Sequence, residues 1–510
     1  MLMEVELSFI SIIFTFLLFV FLVLKLGKIS KTPEKTLNLP PSPWKLPIFG
    51  NLHQLIGSMP HHGLRDLSKK YGPLMHLTLG EISAIVVSSP EVAKEVMQTH
   101  DATFASRGHN IAIKIMSYDC TDIAFAPYGE YWIQLRKICT QAFFNKKRVQ
   151  SFQSIREEET SKLISWIDSK AGSVINLTEK IYALTHDVNS RAAFGKKCKE
   201  QESVTSCIKR ATILAAGLNI GYLFPSIGLL QWISGIRPQL ESLHRMADKI
   251  LDSVISEHKE KARLQIGKSS EVDDEEDLVD VLLKVQEHGD PDDEFHLTTQ
   301  NIKAVIIDVF SAGGDSSATT IEWAMVELIK NPRLMKMAQA EVREIFNRKG
   351  IVDETSINEM KFLKQIIKET LRLHPTAPLL LPRESRESCV INGFDIPAKT
   401  KVVINGWAIG RDPEYWTDPE SFIPERFHDS PIDYNGTNFE YIPFGSGRRI
   451  CPGMSFGLAS IELPLASLLY HFDWKLPAGM EAEKLDMSEA INETLRRRDS
   501  LCLIPVPYHP

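Results

Sequence analysis

Residues 298–330 set the scale of whatever this chain folds into. Apolar residues recur there at helical spacing, and the run stops at Lys330-Asn331-Pro332, where proline lacks the amide donor a continuing helix needs. Thirty-three residues of helix reach about 50 Å at 1.5 Å per residue, enough to cross a whole domain. One long central helix is therefore expected, with other elements packed around it. Its middle reads Ser-Ala-Gly-Gly-Asp-Ser-Ser-Ala-Thr-Thr. Each glycine weakens a helix by about 1 kcal/mol, so Gly313 and Gly314 need a reason. Either another helix packs closely against them, or the helix opens where something large approaches its backbone.

From about residue 60 onward the pattern is that of one large domain, mainly α with small β-sheets. Residues 72–90 alternate and carry β-branched side chains, which predicts a hairpin turning at Gly80-Glu81. Residues 389–406 return to strand patterning with an Asn-Gly turn, and helical periodicity governs 129–168, 239–264 and 276–287. The acidic stretch 271–277 reads as a solvated loop. No internal repeat and no Rossmann or P-loop segment occurs. A net charge of -7 over 510 residues argues against a general nucleic-acid binder. The seven cysteines are odd in number, widely spaced and form no CxxC pair; that fits reduced thiols rather than a disulfide framework or a zinc site.

Residues 7–24 carry no charge and only Ser8, Ser11 and Thr15 as polar residues. Eighteen residues of helix span about 27 Å, close to a bilayer's hydrocarbon core. Acidic residues precede this segment and no small-x-small cleavage site follows, so it reads as an uncleaved transmembrane anchor rather than a signal peptide. Lys25, Lys28, Lys31 and Lys35 follow it, which puts residues 1–6 in the lumen and the bulk of the chain in the cytosol. Residues 25–47 form a basic, proline-rich linker, and 48–510 the folded body. The sequons at Asn176, Asn435 and Asn492 stay bare in that topology.

Cys451 lies in Pro-Phe-Gly-Ser-Gly-Arg-Arg-Ile-Cys-Pro-Gly, residues 443–453. Gly445, Gly447 and Gly453 permit tight turns and leave peptide N–H groups free to point at sulfur. Arg448 and Arg449 add positive charge, which favours the thiolate. One thiolate is a poor complete site for zinc or an iron–sulfur cluster, but it is a sufficient axial ligand for haem iron.

Here the chain resembles the cytochromes P-450. Phe444, Gly447, Arg449, Cys451 and Gly453 fill the haem-binding signature FxxGxRxCxG. Glu369 and Arg372 match ExxR, and Arg426 lies in Pro-Glu-Arg-Phe; the resemblance implies that these three form a buried charge network. Trp132 and Arg136 match WxxxR. With Arg449 and Arg383 they are expected to hold the propionates of haem b (iron protoporphyrin IX with an axial thiolate), and Phe444, Gly445, Ala312 and Gly313 to lie against the cofactor. Residues 312–317 match the oxygen-binding segment, with Ser316 where threonine is usual. Serine keeps the hydroxyl that relays a proton but loses the β-methyl that fixes its rotamer, so weaker coupling of oxygen activation to product is expected. Asp315 is expected to be the next proton station.

The resemblance implies a P-450 fold, with the long helix crossing over a buried haem, and a monooxygenase that inserts one atom of O2 into a hydrophobic small molecule. NADPH would supply the electrons through the membrane-bound NADPH–cytochrome P-450 reductase, with cytochrome b5 as a possible second donor. Lys137, Lys146, Lys147, Arg148 and Arg448 are the candidate docking face. Over its length the chain resembles plant microsomal enzymes of the endoplasmic reticulum that oxidise terpenoids and alkaloids in secondary metabolism. Candidate pocket residues are the loop 106–122, Val305, Val309, Ala377, Leu379, Leu380 and Leu495, mainly apolar. Two other readings keep the haem: an isomerase or dehydratase of hydroperoxides, and a non-catalytic membrane-anchored haem protein. The Asp315-Ser316 pair speaks against both.

Overall fold

The computed structural model describes residues 37–197, 201–216, 220–265, 276–288, 295–491 and 494–509. The expected anchor at 7–24 and most of the linker lie outside them. Among the described residues no helix is long and apolar enough to cross a membrane.

Nine helices carry the argument: α1 (Pro60–Tyr71), α2 (Glu130–Cys139), α3 (Gln153–Asp168), α4 (Leu177–Phe194), α5 (Ile236–Gln265), α6 (Leu278–His288), α7 (Thr299–Lys330), α8 (Pro332–Lys349) and α9 (Lys361–Leu373). A tenth, α10 (Met454–His471), follows the Cys451 loop. The long central helix, α7, begins at a capping box. The Thr298 hydroxyl accepts from Asn301 N–H (3.2 Å) while Asn301 Oδ1 accepts from Thr298 N–H (2.9 Å), which satisfies amides that a bare helix start leaves orphaned. Pro332 opens α8 and enforces the stop. Between these ends α7 is buried on nearly every side, as a helix through the middle of a domain must be. Its buried residues share one hydrophobic core with those of α4, α8, α9 and α10.

The helix expected over 129–168 is broken. After Cys139 the backbone widens into one turn of i to i+5 bonding over Thr140–Phe144. Asn145 then leaves the helical region and accepts from Arg148 N–H (3.0 Å) to start a new short helix. Phe143 is pinned among Phe144, Phe152 and Phe456, so tertiary packing overrides the local periodicity.

The expected hairpin is present: β1 (Leu74–Leu79) runs antiparallel to β2 (Ile82–Val87). Three further strands, β3 (Ser106–Arg107), β4 (Arg383–Glu384) and β5 (Lys401–Ile404), complete a sheet in the order β1-β2-β5-β4-β3, with β2 and β5 parallel. Strand β4 carries Arg383 towards the Cys451 loop. The folded body begins before residue 48, because Pro41 O accepts from His76 N–H of β1 (2.9 Å) and Asn51 Nδ2 donates to Pro43 O (3.1 Å).

Candidate active site

Cys451 closes a tight loop. Its N–H donates to Phe444 O (2.9 Å), and Ile450 N–H donates to Gly447 O (3.0 Å). Gly445 and Gly447 have φ of +72° and +70°, a region closed to most side chains. Gly447 has a second reason to lack one: a Cβ there would lie 2.2 Å from Met97 O. Helix α10 starts three residues after the cysteine, so the positive end of its dipole lies near the sulfur. Burial pushes the thiol pKa up, while the Gly453 N–H and the Arg136 guanidinium pull it down. A bound metal ion decides such a balance, because a coordinating thiol is deprotonated outright.

The sequence assigned that helpful charge to Arg448 and Arg449, and the structure corrects it. Arg448 is half exposed and bonds Asp101 (3.0 Å). Arg449 turns towards residues 105–126, donating to Ala105 O (2.6 Å), Ile123 O (3.2 Å) and Ala126 O. Arg136 is the cation beside the sulfur, and its Nη2 donates to Ile450 O (2.6 Å).

Arg449, Arg136 and Arg383 nevertheless gather at one place, with Arg107 as a fourth member that the sequence did not reveal. Arg383 donates to Ser446 O (2.8 Å), and Arg107 to Ala124 O (3.2 Å) and Leu381 O (2.5 Å). Trp132 Nε1 donates to Ile123 O (2.9 Å), and its ring carries the Arg449 guanidinium at 4.0 Å. Burial first, then mutual repulsion, holds the pKa of Arg107 and Arg449 well below the ordinary arginine value. The hydrogen bonds of Arg107 and Arg449 end on backbone carbonyls; Asp101, 3.5 Å from Arg383, meets the group directly, and the Asp122 carboxylate offsets part of the charge of Arg107 and Arg449. Four guanidiniums facing two carboxylates keep an excess of positive charge that suits a dianionic ligand, which is the chemistry of the two haem propionates.

Behind this loop Glu369 takes Arg372 in a two-point ion pair (2.7 and 2.8 Å) and Arg426 at 3.0 Å. Arg372 also donates to Gly410 O, Pro419 O and Ser421 O. Glu369 and Arg372 are wholly buried and every charge has a partner, so one loss would strand the rest at about 3–5 kcal/mol.

Between Ile302 and Ile329, α7 leaves Ala312 exposed and Asp308, Ser311, Gly313 and Ser316 half-buried. Ser316 Oγ donates to Ala312 O (2.7 Å). A Cβ on Gly457 of α10 would lie 3.9 Å from Ser317 Oγ, so the middle of α7 lies beside the first turn of the helix that Cys451 precedes. The glycine pair resolves towards close packing, since α7 continues unbroken. A Cβ on Gly313 would come 2.9 Å from Asn189 Oδ1, and one on Gly314 2.5 Å from His186 Nδ1, both on α4. Gly313 therefore faces a helix as well as the site. Asp315 is buried against that same helix, with Oδ1 2.7 Å from His186 Nε2.

The apolar pocket residues fare unevenly. Val305 and Val309 are core residues, 0% and 5% exposed, and the half-buried stripe of α7 begins instead at Asp308. Leu495 is buried against Trp407 and Ala408. Leu379 packs on the cluster of Leu64, Met75 and Leu77. Ala377 and Leu380 line a cleft with Gly406, Tyr441 and Ile442. Asp308 Oδ2 accepts from Ile123 N–H (2.8 Å) and Ala124 N–H (2.9 Å). The signal that could have found it was one carboxylate in the apolar run 304–310.

A mainly helical fold that sets a lone cysteine beside a cationic cradle, next to a helix crossing the domain, defines the haem-thiolate class. Its backbone is similar to a zebra fish cytochrome P450 solved with abiraterone, with a TM-score of 0.73 over 88% of this chain and 100% of that one, at 24% identity. Residues 40–501 match the cytochrome P450 family, and the chain belongs to it. Premnaspirodiene oxygenase of Hyoscyamus muticus is 50% identical over 498 residues, covering 98% of both chains. Tabersonine 16-hydroxylase 2 of Catharanthus roseus is 52% identical over 499 residues, covering 97% of both. The protein is accordingly a haem-thiolate monooxygenase of a plant branch of this family.

Proposed function

We propose that the chain hydroxylates a terpenoid or alkaloid, taking electrons from NADPH–cytochrome P-450 reductase at the cytosolic face of the endoplasmic reticulum. The observation that carries this reading is the pairing of Cys451 and its arginine cradle with a hydroxyl-bearing stripe on α7. Haem bound there, held through the Cys451 thiolate, would supply the redox chemistry for reducing dioxygen. Arg107, Arg136, Arg383, Arg449 and Trp132 would hold its propionates.

The chain's own residues would manage protons and substrate. Ser316 parks its hydroxyl proton on Ala312 O, and rotation about χ1, less restricted than in threonine, lets it present that proton to the exposed face. Asp315, one residue earlier, would recharge it. The named substrates of the two relatives, premnaspirodiene and tabersonine, support a hydrophobic scaffold.

For a redox partner, Lys137, Lys146, Lys147 and Arg448 are exposed and suit an acidic docking surface. Arg148 leaves that set, because it donates to Ala142 O (2.9 Å) and Glu276 O. For the membrane, residues 48–52 pack through Leu52 on Leu223 and Phe224. Around that contact Trp44, Phe49, Ile56, Leu229, Trp232 and Ile233 are exposed, an apolar display that marks an interaction surface.

The test is turnover of a terpenoid and alkaloid panel with purified reductase and NADPH. Product containing one atom from labelled O2 is expected. Conversion of a hydroperoxide without NADPH would overturn the reading in favour of an isomerase.

A further inference from the structure

The histidine that meets Asp315 belongs to no motif. His186 lies on α4 with its side chain about nine-tenths buried, and its Nε2 is 2.7 Å from Asp315 Oδ1. The ring lies beside Phe310 (5.9 Å between centroids) and fits only because residue 314 is glycine. An alanine Cβ would come 2.5 Å from Nδ1 and 2.6 Å from Cε1, distances real contacts do not reach. One turn along α4, Asn189 Nδ2 donates to Val309 O (2.9 Å) and Phe310 O (3.0 Å), so the two helices are locked in register where the imidazole enters. Tyr182 completes the polar edge of α4 against α7, bonding Thr319 at 2.9 Å. Among the described residues, His186 Nδ1 and Asn189 Oδ1 are both buried without a protein partner, which is unusual in a native core unless the polar atoms serve a purpose.

We propose that His186 is the positioning residue of the proton relay: its Nε2–H fixes the Asp315 carboxyl beside Ser316, and Gly314 is glycine to admit the imidazole. This rests on Asp315 and Ser316 being the relay. A hydrogen bond from the imidazole to a buried carboxyl restricts the rotamer of that carboxyl. Without it the carboxyl still exists but delivers its proton from the wrong place, so reducing equivalents are spent without product.

Two measurements test this on the reduced, carbon-monoxide-bound holoprotein and on the turning-over enzyme. The first is the imidazole nitrogen resonance of His186 in protein labelled with ¹⁵N-histidine, identified by its loss in His186→Gln. Asp315→Asn and Gly314→Ala should each shift it; an unmoved resonance in both would overturn the contact. The second is product formed per NADPH consumed. His186→Leu should lower the ratio by about tenfold, the scale of one lost hydrogen bond, with KM for substrate unchanged. His186→Gln, which retains an N–H donor, should restore most of it. A normal ratio in His186→Leu beside a collapsed one in Asp315→Asn would sink the role of His186 and leave the relay standing. A normal ratio in Asp315→Asn would instead remove the relay itself.

Discussion

At the scale of single residues, glycine is a spatial instruction in this site, and two mechanisms can be separated. Gly350, the C-cap of α8, has φ of +69° and nothing within 4 Å of where a Cβ would sit. Gly447 has nearly the same φ, +70°, but its Cβ would meet Met97 O at 2.2 Å and Asp101 Oδ1 at 2.8 Å. Gly350→Ala should therefore cost only the left-handed penalty, about 1–2 kcal/mol. Gly447→Ala should cost more than twice as much and should also lower haem content, since it moves the loop that carries Cys451. Thermal melts and haem absorbance read both. Equal losses in the two variants would mean that the close approach at Gly447 is easily relieved. Cys451→Ala should load no thiolate-ligated haem, which the carbon-monoxide difference spectrum reports directly.

At the scale of elements, α7 shows what a sequence can and cannot say. Its ends were legible because their causes are local: Thr298 and Asn301 cap one end, and Pro332 terminates the other. Its rotation was not. A helix buried on nearly every side offers no stripe to phase, so Val305 and Val309 looked as fit for the pocket as Asp308. The partner of Asp315 lies 129 residues away, and no local pattern points to it. Arg107 was hidden for the same reason, since its role follows from β3 lying beside β4, which carries Arg383. The Cys451 loop was legible because its residues are contiguous.

The Asp308 clamp yields the prediction proper to this scale. Burial and the neighbouring Asp122 carboxylate push the Asp308 pKa well above the ordinary range. It thus keeps the pair's proton, while burial raises Asp122 to about 6. A carboxyl that ionises less readily folded than unfolded lowers stability as pH rises between its two pKa values. For Asp122, with an ordinary value of 3.8, that window runs from 3.8 to about 6. Melting temperature should carry a decline there that Asp122→Asn removes. Asp308→Asn, a neutral stand-in that still accepts from the Ile123 and Ala124 amides, should melt close to native. Asp308→Ala leaves both amides unpaired and should lose about 2–4 kcal/mol.

At the scale of the whole molecule, two apolar segments far apart in sequence form one structure at the edge of the body. Phe49 lies edge-on to Phe224 (6.5 Å), and Glu81 N–H donates to Leu223 O (2.8 Å), so β2's hairpin fixes both segments in place. Their exposed side chains include Trp44 at 63%, Leu229 at 66% and Ile233 at 71%, which is costly in water and favourable at a lipid interface. If this surface meets the bilayer, an anchor at residues 7–24 would not be the sole attachment, and the body would be held in one orientation. A chain lacking residues 1–36 should then still co-float with phospholipid vesicles. Each large apolar side chain contributes roughly 1.5–3 kcal/mol on full burial, so replacing Trp232 and Ile233 together by serine should cut vesicle binding by at least about tenfold. Neither residue is in the core, so melting temperature should barely move, which separates lost attachment from lost folding. A truncated chain that stays in the soluble fraction while its haem spectrum remains intact would show that the patch faces something other than lipid.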